Sequence, residues 1–122
     1  MSAVTDRLRS ALMNGSVETV DMPPYVVFDL LSVERRCLVI DAIGEHGHLS
    51  ASDLSEVVAA LEYGPDYDRK ERKRVYISLK QHNMEPLIEY GVIQTVGKRV
   101  YGPGPHFEGV ADVLASVREV CR

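Results

Sequence analysis

The sequence predicts a mostly α-helical domain with one small β-hairpin and extra helices at the N- and C-terminal ends. Three observations carry that expectation. Apolar residues recur at i, i+3, i+4 and i+7 over most of the chain. Two short β-branched runs, residues 92–96 and 99–101, adjoin across Gly97-Lys98. At 122 residues, 45% hydrophobic and 26% charged, the chain has the size and composition of one globular domain.

Val4, Leu8, Ala11 and Leu12 are spaced for a short amphipathic helix over residues 3–13, which Asn14-Gly15-Ser16 stops. A linker then runs to Met22-Pro23-Pro24, where tandem prolines lead into a helix rather than continue one. One turn of helix ends near Leu31 and a longer one begins at Val33. Ser32 is its expected N-cap, and Gly44 and Gly47 bracket its far end. A loop follows over residues 46–50, with a small extended piece around Leu49. Ser52 is expected to cap the next helix, whose apolar side is Leu54, Val57, Val58 and Leu61, and Tyr63-Gly64-Pro65 ends it. The following helix runs from Tyr67 or Asp68 to Tyr90. Pro86 should kink or break it, and Gly91 should close it in a left-handed C-cap. After the hairpin, Gly102-Pro103-Gly104-Pro105 leads into a last helix from Phe107 to Val120.

Charge is distributed unevenly along this plan. The net charge is −4, yet five of the fourteen basic residues fall within Arg69–Arg74. Between Cys37 and Asp68 there is no Lys or Arg, and seven acidic residues occupy that stretch. An acidic chain that gathers its cations on one helix is arranged to meet a polyanion, since beyond ~10 Å screening makes the local field matter more than the total charge. Other classes are disfavoured. No window approaches the ~18 uninterrupted apolar residues of a membrane span, and the N-terminus lacks the grading of a secretory signal, so a cytoplasmic location is expected. Cys37 and Cys121 form no CxxC pair, and no disulfide is expected. His46, His48, His82 and His106 lack metal-ligand spacing, and no glycine-rich phosphate loop or nucleophile motif is present. Neither a metal, another cofactor nor enzymatic activity is expected.

Three helices followed by a hairpin form a winged helix-turn-helix, in which the third helix enters the DNA major groove and the hairpin flanks it on the backbone. The domain boundaries follow: an N-terminal helix and linker over 1–22, the winged domain over 23–102, and a C-terminal helix over 103–122 able to dimerise. A helix face through Arg74, Ser78, Gln81 and Glu85 assigns base contacts to Arg74, Ser78, Gln81 and the neighbouring His82. Arg69, Lys70, Arg72, Lys73 and Lys80 are expected on phosphates, with Lys98 and Arg99 at the hairpin tip. Arg35 and Arg36 are expected to pair with Asp29 or Asp41. Leu8 and Leu12 with Val110, Val113, Leu114 and Val117 offer a dimer interface.

The segments Phe28-Asp29-Leu30-Leu31-Ser32, Glu34-Arg35-Arg36, Leu54 to Ala60 and Glu71-Arg72-Lys73-Arg74-Val75-Tyr76 resemble a family of winged-helix domains abundant in halophilic archaea. Leu87-Ile88-Glu89-Tyr90-Gly91-Val92-Ile93 resembles the junction of third helix and wing. The resemblance spans Pro24 to Tyr101, and the family is similar to arsenical-repressor-type transcription regulators. Asn83-Met84-Glu85-Pro86 departs from the family's histidine-leucine-proline before the anchor leucine. The function so implied is a sequence-specific double-stranded DNA-binding regulator acting as a homodimer. The alternative is a winged-helix protein-interaction module that does not bind DNA.

Overall fold

The computed structural model describes residues 22–121. The expected helix over 3–13, with Leu8 and Leu12, lies outside the described residues. Pro23 and Pro24 open α1 (Pro24–Leu31), Pro24 standing at the first helical position where no N–H is needed. Helix α2 spans Glu34–His46. Ser32 does not cap it: the hydroxyl turns back and donates to the Asp29 carbonyl at 2.7 Å, closing α1, and Val33 precedes α2 without a side-chain cap. A serine between two abutting helices can serve either end, and here the orphan carbonyl of α1 takes it.

Strand β1 (Leu49–Ser50) leads directly into α3 (Ala51–Tyr63). Its N-cap is Ser50, whose hydroxyl accepts from the Asp53 N–H at 3.1 Å, two residues earlier than expected. Gly64, at φ 95°, ends it. Helix α4 (Arg69–Ser78) starts with a complete capping box in which Asp68 accepts from the Glu71 N–H and Glu71 accepts from the Asp68 N–H. Pro86 then exerts its effect upstream. Lacking an N–H and crowding the preceding carbonyls, it is accommodated by one wide turn over Leu79–Asn83, where the Met84 N–H reaches back to the Leu79 carbonyl, before α5 (Met84–Glu89) resumes. The rod therefore changes phase between its halves.

Gly91, at φ 72°, takes the left-handed position after α5. The Val92 N–H bonds the Leu87 carbonyl at 2.9 Å and the Gly91 N–H bonds the Ile88 carbonyl at 3.1 Å, with Leu87 and Val92 both fully buried. Strands β2 (Ile93–Gly97) and β3 (Val100–Pro103) pair antiparallel. Their turn is Lys98-Arg99, one residue beyond the expected Gly97-Lys98, because the ladder slips by one between Thr95 and Gly97. Strand β1 adds to the free side of β3, Leu49 opposite Tyr101, so the hairpin becomes a three-stranded sheet in the order β1-β3-β2. Helix α6 (Phe107–Val120) closes the described chain, at the expected boundaries.

The architecture is mostly helical with a small antiparallel sheet. Its core joins every helix: Leu30 of α1, Val39 and Ile43 of α2, Leu54 and Val58 of α3, Val75 of α4, Leu87 of α5 and Val110 of α6 are all essentially inaccessible. The last of these forces a correction. Val110, Val113 and Leu114 are 0%, 2% and 5% exposed and Val117 is half-buried against the same core, so the α6 stripe assigned to a partner is consumed within the chain. Arg118 pins the helix by a two-pronged bond to Asp41 at 2.7 and 2.8 Å.

Candidate nucleic-acid interface

The polyanion-facing candidates sit on α4, the wide turn that follows it and the sheet turn. Arg69, Lys70, Lys73, Arg74, Lys80, Lys98 and Arg99 are exposed and, among the described residues, make no ion pair. Arg72 has one loose partner, Glu56 at 3.9 Å, with both side chains well exposed, an arrangement contributing little. The other cations among the described residues are committed. Arg35 forks onto Glu62 at 2.8 and 2.9 Å and reaches the Tyr63 hydroxyl, Arg118 holds Asp41, and Arg36 donates to the Asp29 carbonyl at 3.2 Å. The expected pairing of Arg36 with Asp29 is therefore met, loosely at 4.0 Å between charges, while Arg35 turns instead to Glu62. Glu62's hydrogen bond from Arg35 holds its carboxyl below the usual glutamate range, against the opposing effect of burial.

Helical phase sorts the cations. Arg69, Arg72, Lys73 and Tyr76 share one side of α4 and, with Ser52 at the start of α3, line a shallow groove. Tyr76 also borders a second groove of about 550 Å³ between the α4–α5 rod and the sheet. Its floor is Leu54, Leu79 and Met84. Lys80 stands on the rod wall and Arg99 on the hairpin wall, with Tyr101 beside it. Ile88, Glu85 and Glu89 line the α5 end. The two grooves thus meet at Tyr76, forming one concave, cation-edged surface. Sequence reasoning does not find Tyr76 and Ser52 there; an aromatic at helical spacing reads as core, and only the approach of α3 reveals its second side.

Arg74, Gln81 and His82, expected on bases, are exposed but border neither groove. Ser78 is half-buried, and its hydroxyl accepts from Asn83 Nδ2 at 2.9 Å, so it works within the helix. The face drawn through residues 74, 78, 81 and 85 assumes a continuous α-helix. The wide turn at 79–83 breaks it, turning Glu85 toward the second groove.

Arg99 is the one non-glycine residue with positive φ, 57°, among the described residues. Its carbonyl accepts from the Ala51 N–H at 2.8 Å, fastening the turn to the start of α3. An arginine held in this conformation costs about 1 kcal/mol relative to glycine. No group of three or more potential metal-ligating side chains gathers among the described residues, and no helix there is long and apolar enough to cross a membrane.

A family model, a domain of unknown function termed DUF7344, matches residues 28–100. The chain belongs to that family. The matched span holds α1 from Phe28, α2 to α5, and the sheet as far as Val100, and so all eight cations of the candidate interface; α6 lies beyond it. Comparisons with curated proteins and with solved structures give no match.

Proposed function

We propose that this chain is a winged-helix DNA-binding domain and a sequence-specific transcriptional regulator. One observation carries the reading: eight cations, seven without an ion-pair partner among the described residues, lie on the α4–α5 rod and on the turn of the adjoining hairpin. The order α2, β1, α3, the α4–α5 rod, β2, β3 supports the winged assignment, with the rod as reading helix. In this reading Arg69, Lys70, Arg72, Lys73 and Lys80 neutralise phosphates beside the rod, and Lys98 and Arg99 do so from the wing. Arg74, Gln81 and His82 reach base edges. A single module of this size buries limited DNA surface, so a homodimer on two half-sites is part of the proposal. Its contact must be sought away from the buried α6 stripe.

The test begins with selection of bound sequences from a random duplex pool. The variant Arg72→Ala/Lys73→Ala/Arg74→Ala should then lose affinity for the selected fragment. Its salt dependence should also be shallower, by about one unit of slope for every phosphate left without its cation. Unchanged affinity and slope would refute the assignment. The protein-interaction reading draws on Tyr25 and Phe28 of α1, 75% and 42% exposed. A heparin column at physiological salt separates the two: a DNA reader is retained and released by salt, whereas an interaction module flows through.

A further inference from the structure

The second groove lies against the DNA-facing cations yet does not suit DNA. A duplex is convex and cannot enter a cleft of about 550 Å³, and Glu85 and Glu89 on its α5 wall repel phosphate. That volume is instead typical of a small-molecule site, where an apolar lining carries a few convergent polar groups. The floor is apolar, and two cations without ion-pair partners among the described residues line the groove from different elements, Lys80 from the rod and Arg99 from the hairpin turn. The backbone of Arg99 is fixed by its turn and by the Ala51 hydrogen bond, so its guanidinium reaches from a fixed point of attachment and can offer a fork to a carboxylate.

We propose that this groove binds a small organic monoanion with an apolar body, its carboxylate or sulfonate between Lys80 and Arg99 and its hydrocarbon over Leu54, Leu79 and Ile88. The carboxylates of Glu85 and Glu89, which also line the groove, select against a second negative charge. Occupancy and DNA binding are mutually exclusive to the extent that both use Lys80 and Arg99. This exclusion rests on the DNA-binding reading; the site itself does not.

The probe is anilinonaphthalene sulfonate, an aromatic monoanion whose fluorescence reports apolar binding, titrated into the full chain. It should bind saturably at one site. Octanoate should displace it, and octanedioate, charged at both ends, should do so about tenfold less well. Ile88→Gln, at a position exposed enough to spare the fold, should weaken the dye about tenfold and leave retention on DNA unchanged. Lys70→Gln should do the reverse, and Arg99→Ala should weaken both. Absence of saturable binding, or dye affinity untouched by both Ile88→Gln and Arg99→Ala, would overturn the site. Octanoate that saturates the groove without loosening DNA would overturn the exclusion. Dye binding with no DNA retention in any variant would leave the site standing and remove the DNA reading alone.

Discussion

Arg99 concentrates two opposing demands in one residue. At φ 57° glycine would sit without strain, and the position keeps a cation at the tip of the hairpin. Arg99→Gly should therefore raise stability by about 1 kcal/mol in urea denaturation while weakening retention on DNA. A variant both less stable and equally well retained would show that neither demand operates. Glu62 gives a pH prediction. Its folded-state pKa is lowered, chiefly by the hydrogen bond from Arg35. Its contribution is therefore complete above the unfolded-state value and disappears as pH falls through the lower folded-state value. The wild type should lose more stability than Glu62→Gln on acidification below about pH 4. The comparison is read from thermal midpoints of the two proteins, and parallel curves would contradict it. The alternation of Cys37 to Asp68 acids with the Arg69–Arg74 cations was legible in the sequence. The Arg35–Glu62 pair was not, because its members are 27 positions apart and meet only when α2 packs on α3.

At the level of elements, the α4–α5 rod is set by its two ends and one interruption. The Asp68–Glu71 box holds the basic turn in register against the mutual repulsion of Arg69, Lys70, Arg72, Lys73 and Arg74. Asp68→Ala should cost about 1 kcal/mol of stability and fray those cations. DNA affinity should then fall although a negative charge has been removed near the phosphates. A rise in affinity would mean that charge alone, without helix geometry, governs the contact. Boundaries marked by prolines and glycines, such as Pro24, Gly64 and Gly91, were readable directly, since each residue fixes or frees its own backbone. The kink expected from Pro86 appears a turn earlier, as the wide turn at 79–83. Caps were less legible. Ser32, Ser50 and Ser52 are all competent, and the choice among them follows from where the preceding strand or helix delivers the chain.

For the molecule as a whole, α6 decides how the domain is closed. Its stripe fills the core beside α2 instead of waiting for a partner. Val113→Ala should lower stability by about 2 kcal/mol, from reduced burial and a residual cavity, without changing the sedimentation coefficient. A shift in association state with unaltered stability would restore the interface role. The net charge of −4 is likewise a poor guide to the molecule's field. Arg35 and Arg118 are held by carboxylates and Arg36 lies mostly buried, whereas the α4 and hairpin cations meet solvent.

Taken by itself, the sequence determined the order of helices and hairpin and the helix on which the cations crowd, because periodicity, turn chemistry and charge are properties of neighbours along the chain. Tertiary structure alone decided that β1 joins the hairpin, that the α6 stripe is buried, and that Lys80 and Arg99 border one apolar groove. Those outcomes depend on side chains tens of residues apart competing for the same buried volume, and no local pattern records which of them wins.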